Sequence, residues 1–199
     1  MKNTIKKSPI ALAILCLLIE EPMHPYRMQQ LIKERGKEEV INVRHRTSIY
    51  QTIDRLYRDG AITVQGKKSN EGKPDLIVYE VTEEGRKAAY TWTREMLSVP
   101  KKEFLEFPAA ISFLMLLKPK EVLEDLKKRA SALEDMLNQI DMQLQMVRNE
   151  IPRLFLLETE FQRTLVVAEL EWVRSIVDEI QTKKIYWDKD WLREIEQNM

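Results

Sequence analysis

The sequence predicts a mainly α-helical chain with a single two-stranded β hairpin, built in two parts. Three observations carry this. Apolar residues recur at intervals of three and four along most of the 199 residues, the period of helices with one buried face. Between Ile62 and Val81 that period gives way to alternation, with Ile62, Val64, Ile77, Tyr79 and Val81 placed on either side of KKSNEGKPD. Alternation of this kind predicts two strands, here joined by a long turn. Ser98-Val99-Pro100 then separates the half that holds the hairpin from a half with no strand pattern, which gives domains 1–100 and 101–199.

The first helix runs from Pro9 to Glu20 through the apolar stretch IALAILCLLI. Lysines precede it as in a secretory signal, but Glu20, Glu21 and Pro22 follow where a cleavage site needs small residues. It is also shorter than the roughly 20 apolar residues that span a bilayer. Cys16 is the only cysteine; a single thiol forms no internal bridge and fits a reducing compartment, so the chain is expected to be cytoplasmic, off the membrane, with Cys16 a small buried hydrophobe. A second helix, Tyr26 to Arg35, has Pro25 at its first turn, Met28, Leu31 and Ile32 inside, and Gly36 as its stop. After the polar link KEEVINVRHR a third helix starts near Thr47 or Ser48, either of which could cap it. Ile49, Ile53 and Leu56 form its inner stripe, and Gly60 ends it. Past the hairpin, Thr82 followed by Glu83 and Glu84 begins a fourth helix reaching through Trp92 to about Leu97.

The second half reads as helical throughout. Leu123, Leu126, Ala130, Leu133, Leu137, Ile140, Leu144 and Val147 keep strict 3,4 spacing, a coiled-coil-like seam. Pro152 interrupts it, and Leu154, Leu157, Phe161, Leu165, Ala168, Trp172 and Ile176 form the next stripe. Two helices have little core between them, so a second copy of the chain is the expected partner. Leu123, Leu126, Leu133, Leu137, Ile140, Leu144 and Trp172 are the expected homodimer contacts. Trp187 and Trp191, in KIYWDKDWL, would dock the tail onto that partner.

A stop-capped helix with a polar outer side next to a basic hairpin is what a duplex reader requires: the helix enters the major groove and the hairpin follows the phosphates. The first half is therefore read as a winged helix-turn-helix. Total charge is balanced, 32 basic to 32 acidic residues, but residues 1–100 hold 17 Lys and Arg to 13 Asp and Glu, and the remainder 15 to 19. Arg44 to Lys73 holds seven basic to three acidic, so the excess sits on the proposed reader. Arg44 and Arg46 precede the helix and suit phosphate or base-edge contact; Ser48 and Gln51 on its first turn suit base edges. Arg55 and Arg58 fit equally as DNA contacts or as partners of Asp54 and Asp59. Lys67, Lys68 and Lys73, with Ser69 and Asn70 as lesser donors, are the wing contacts. A basic turn is by itself only a soluble turn; the neighbouring helix gives it meaning.

Other chemistry finds little footing. His24 and His45 are the only histidines, with no ligand spacing to each other or to Cys16, so no metal, cofactor or catalytic group is expected. An aromatic effector pocket between the two domains, from Trp92, Met96 and Trp172, competes with plain packing of the same residues. A protein-interaction adaptor is the rival to DNA binding, since winged helices and heptad helices also bind proteins.

These residues together resemble the PadR family of bacterial transcriptional regulators. EPMHPYRM is similar to that family's Pro-x-His-Gly-Tyr segment, with Pro25 in place of the glycine. VRHRTSIYQTIDRLYRDGAI carries its Tyr…Leu…Gly pattern at Tyr50, Leu56 and Gly60, and GKPDLIVYEVTEEG resembles the wing and following Thr-x-x-Gly. Where many members have Pro-Gly ahead of the recognition helix, this chain has Arg46-Thr47. FPAAISFLMLL and AELEWV are similar to the long-tailed subgroup related to virulence activators. The resemblance implies a homodimeric regulator, most often a repressor, on inverted half-sites of double-stranded DNA. It also implies a mixed role for Tyr50, part packing and part phosphate contact; some members respond to phenolic acids or drugs.

Overall fold

A helix with few polar residues needs packing partners, and α1, Pro9–Glu20, has them on all but the side of Cys16. The computed structural model describes residues 5–39, 41, 46–70 and 73–198, and the chain divides into two compact units, Met1–Lys102 and Glu103–Met199. In the first unit Ala11, Ile14, Leu15, Leu17 and Leu18 of α1 are buried in one core with Met28, Leu31, Ile32, Ile49, Ile53, Leu56 and Trp92. Each leucine, isoleucine or methionine among them contributes roughly 1.5–3 kcal/mol by leaving water. Ser8 caps α1, its Oγ accepting from the Ala11 amide at 3.2 Å. Cys16 is exposed rather than buried, on the side of α1 turned from the core; burial nearby and Glu20 hold its thiol above the usual value.

Helix α2 is Pro25–Glu34, with Pro25 at its start and His24 as its cap. Gly36 follows in the left-handed region at φ 63°, and a 3-10 turn covers Lys37–Glu39. Helix α3, Arg46–Arg58, begins earlier than the sequence suggests, so Thr47 and Ser48 lie within its first turn instead of ahead of it. Its end is a Schellman stop: Gly60 sits at φ 76°, its amide donates to the Tyr57 carbonyl, and the Ala61 amide donates to Leu56 at 2.9 Å.

The hairpin pairs β1, Ile62–Asn70, with β2, Lys73–Val81. Most of the predicted long turn is thus strand, paired out to Asn70 and Lys73. Alternation of apolar residues ends where burial ends, whereas the ladder continues beyond it. Val64 and Ile77 lie in the strands as expected but are 38% and 37% exposed, while Val78 is buried. The register shifts between Val64 and Gly66; a two-stranded ribbon twists strongly and a bulge adds to the twist. The face aimed at the helices near Ile62 and Val81 has therefore turned aside within a few residues. Met23 extends the sheet by one residue, exchanging both peptide hydrogen bonds with Tyr79 at 3.0 and 3.1 Å.

Helix α4, Glu83–Ser98, opens on Thr82, whose Oγ1 accepts from the Gly85 amide at 3.1 Å. The same hydroxyl lies 2.7 Å from the Gly60 carbonyl and 3.0 Å from that of Ala61 as their donor. Gly85 has no alternative here: a Cβ would stand 2.0 Å from the Ala61 oxygen.

The second unit has α5, Glu106–Ile111, then a 3-10 turn at Leu114–Leu116 and α6, Pro119–Val147. After a 3-10 turn at Arg153–Phe155 come α7, Leu157–Gln181, and α8, Lys189–Asn198. Helices α6 and α7 form an antiparallel hairpin bridged by Arg129–Glu169, Arg163–Asp141 and Arg174–Glu134. Val122, Leu126, Ala130 and Leu133 of α6 are buried with Leu170, Val173 and Ile180 of α7. The expected α7 stripe is the other one. Phe161, Leu165 and Trp172 are 64%, 55% and 40% exposed, because the helix is rotated so that Val166, Leu170, Val173, Val177 and Ile180 meet α6. Both stripes satisfy helical period, and period alone does not say which faces inward. Trp187 is buried within its own unit, its Nε1 donating to the Leu117 carbonyl at 2.8 Å, whereas Trp191 stays largely exposed.

Candidate nucleic-acid interface

Around α3, 3.6 residues per turn sort the side chains into a buried row and an outward row. Ile49, Thr52, Ile53 and Leu56 are buried, and the Thr52 hydroxyl is spent on the Ser48 carbonyl at 2.7 Å. Gln51, Asp54 and Arg58 are exposed and lie one above another at i, i+3 and i+7. Gln51, nearest the helix start, has an amide able to pair with an adenine edge; Asp54 can accept from cytosine; Arg58 suits guanine or phosphate. Arg58 is held only loosely, its Nε 3.8 Å from Asp59.

The two flanks of the helix differ. On one, Tyr50 is half-buried and Tyr57 packs edge-on to Tyr79 of β2, ring centroids 6.1 Å apart at 72°. That contact fixes the wing beside the helix, and burial, Asp54 and Tyr57 together hold the Tyr79 phenol above its usual value. On the other flank are Ser48 and Arg55, both half-buried. Arg55 pairs with neither Asp54 nor Asp59. Its Nη2 reaches the Ser8 hydroxyl at 3.5 Å, and its Nε is buried without a partner. Neighbouring the buried Thr52 and Leu56 on the helix surface, it is drawn towards the start of α1 and away from the outward row.

Arg44 lies outside the described residues, as do the side chains of Arg46, Lys67, Lys68, Ser69, Asn70 and Lys73. The backbones of Lys67, Lys68 and Asn70 pair with Ile77, Leu76 and Lys73. Asp54, which spacing placed on the polar side without singling out, and Arg58, left open between DNA contact and an ion pair, belong with Gln51; their i, i+3, i+7 offsets were the available signal.

Of the three expected effector residues, Trp92 is buried in the first unit's core. Met96 lines a cavity of about 480 Å³ in that unit, with Leu12, Cys16, Leu31 and Ile41, and the Glu20–Arg35 pair lies at its margin. Trp172 belongs to the second unit, edge-to-face with Phe107. Among the described residues no group of histidine, cysteine or carboxylate side chains could hold a metal ion, and no helix is long and apolar enough to cross a membrane.

Solved structures share this fold. Bacillus subtilis PadR in complex with operator DNA superposes with a TM-score of 0.70 at 18% identity, covering 87% of this chain and 99% of its own. The same protein in complex with p-coumaric acid gives 0.69 at 18%, covering 86% and 98%. The Vibrio cholerae virulence activator AphA gives 0.68 at 14%, covering 87% and 99%. No curated protein sequence matches the chain significantly. Residues 14–90, from α1 through α3 and the hairpin into α4, match the Transcriptional regulator PadR-like family. The family match covers residues 14–90 of the 199, and over the rest of the chain the likeness is one of fold.

Proposed function

We propose that the protein acts in the cytoplasm as a homodimeric repressor on a pseudo-palindromic operator, its occupancy tuned by a small aromatic effector. The observation that carries the reading is the outward row Gln51, Asp54 and Arg58 on α3 beside a hairpin braced by Tyr57 and Tyr79. The row and Ser48 read base edges; Arg44 and Arg46 at the helix start, with Lys67, Lys68 and Lys73 on the wing, neutralise phosphates, and the Tyr50 hydroxyl hydrogen-bonds to one. Occupancy of a promoter would exclude RNA polymerase. That the Bacillus subtilis relative is seen with operator DNA supports the partner, and its p-coumaric acid complex supports an aromatic effector.

The dimer is supported by the exposed row Leu157, Phe161 and Leu165 along α7, while Trp172, also expected at that contact, lines a cavity with Phe107 in its own unit. Monomers rarely leave so continuous an apolar surface in water. Leu126 and Leu133, expected at the dimer contact, are occupied by α7 of the same chain, and Leu123 and Leu137 pack against that core, so the second copy is assigned to the α7 row and to the half-buried Ile140 and Leu144.

Fluorescence anisotropy on promoter duplexes tests the reading. Lys67→Ala with Lys68→Ala should weaken every sequence alike and lower the salt slope by nearly two, about 0.9 per lost phosphate contact. Gln51→Ala should instead relax preference at one base position. An unchanged slope in the double variant would remove the wing from the interface.

A further inference from the structure

Within the second unit, the segment Leu105–Ile111 closes one side of a cavity of about 580 Å³, inside the roughly 300–1,000 Å³ of small-molecule sites. Its aromatic walls are Phe107 and Trp172, ring centroids 5.9 Å apart at 82°. Trp172 is the less covered of the two, so a flat ring could lie against it. At the polar end Arg129 lies over Phe107, 3.5 Å from the ring centroid. Its Nε donates to Oε1 of Glu169 at 2.6 Å, and its Nη2 meets the same oxygen.

The guanidinium is therefore matched twice, by a ring face and by a carboxylate. The carboxylates are not matched in the same degree. Oε2 of Glu169 takes no part in that pair, and Glu106, on the first turn of α5, has no ion pair among the described residues. Two acids against one guanidinium leave the lining at a net charge of −1.

From this lining we infer a binding site for a planar aromatic cation, a fused aryl ring carrying an ammonium or amidinium group. The ring covers Trp172 and Ile111 and removes apolar surface from water. The cation meets Glu106 and the free edge of Glu169, with the electron-rich tryptophan face adding attraction. An aryl carboxylate of the same size would bring a further negative charge to an already negative lining. The inference rests on the effector part of the proposed function and gives that effector a place and a charge.

Calorimetric titration of the full chain with three probes sharing one ring tests it: (1-naphthylmethyl)trimethylammonium, 1-naphthylmethanol and 1-naphthylacetate. The ammonium ion should bind tightest and the acetate weakest. Glu106→Gln should weaken the ammonium ion about tenfold, the size of one strong charge or cation–π contact, and leave the alcohol as it was. Trp172→Leu should weaken all three. Tighter binding of the acetate, or indifference of the ammonium ion to Glu106→Gln, overturns the site. If the acetate alone binds and releases DNA, the effector reading stands and the cation site falls. If none of the probes binds while promoter DNA is still bound, the cation site falls and DNA recognition is untouched.

Discussion

Single residues set the frame on which α3 is presented. Thr82 closes the stop of α3, the start of α4 and the root of the wing through one hydroxyl, and Gly85 makes that approach sterically feasible. Gly85→Ala should cost about 1–3 kcal/mol through overpacking against backbone that has no slack, read as a lowered midpoint in urea. His24 contributes a pH dependence. Its Nδ1 accepts from the Tyr26 amide at 3.1 Å, which needs the neutral ring, and burial holds its pKa below the usual histidine value. With the folded value depressed, the unfolded chain takes up the proton first. Stability from this cap is complete above the ordinary value of 6.5 and declines as pH falls from there towards the depressed one. His24→Asn, which caps without titrating, should flatten that acid-side decline in thermal denaturation. The sequence pointed to Thr82 as a cap and Pro25 as a first-turn residue. It gave no sign that His24 is a cap or that Gly85 touches Ala61, since both depend on contacts or backbone angles that no spacing encodes.

At the level of elements, the helices of the first unit were readable because one buried face leaves one period, as Ile49, Ile53 and Leu56 show. The wing was readable where Ile62 and Val81 touch the core and misjudged where the ribbon twists away from it. Helix α7 was ambiguous for a different reason: it has two apolar rows, and only packing against α6 selects between them. Substitutions separate the rows. Val173→Ala, in the buried row, should destabilise by about 1–3 kcal/mol through a cavity. Leu165→Glu, in the exposed row, should leave the helical signal in circular dichroism intact and shift the light-scattering mass to that of one 23.6 kDa chain. A wild-type mass already equal to one chain at micromolar concentration would remove the dimer.

For the whole molecule, charge is divided more tellingly than its zero total suggests. The half with the hairpin carries the basic excess and the helical half the acidic one, so attraction to the proposed DNA partner would be concentrated on one unit. Two copies related by a twofold axis would place two reading helices on one face of the duplex. Footprinting should then protect two half-sites with centres about 10 base pairs or a multiple apart; a single asymmetric footprint would contradict the twofold arrangement. The likeness to a regulator family was legible from order and spacing along Arg44 to Gly85. The orientation of Arg55 was not, because its draw towards Ser8 depends on how α1 crosses α3.

The peptide exchange between Met23 and Tyr79 reaches further than its two hydrogen bonds. It moors the β2 strand to the turn ahead of α2, so the hairpin cannot swing free of the helices it flanks. Tilting α2 would haul the hairpin with it. In the DNA complex proposed above, grip on the sugar–phosphate rails and depth of helix insertion would accordingly loosen together, as one motion.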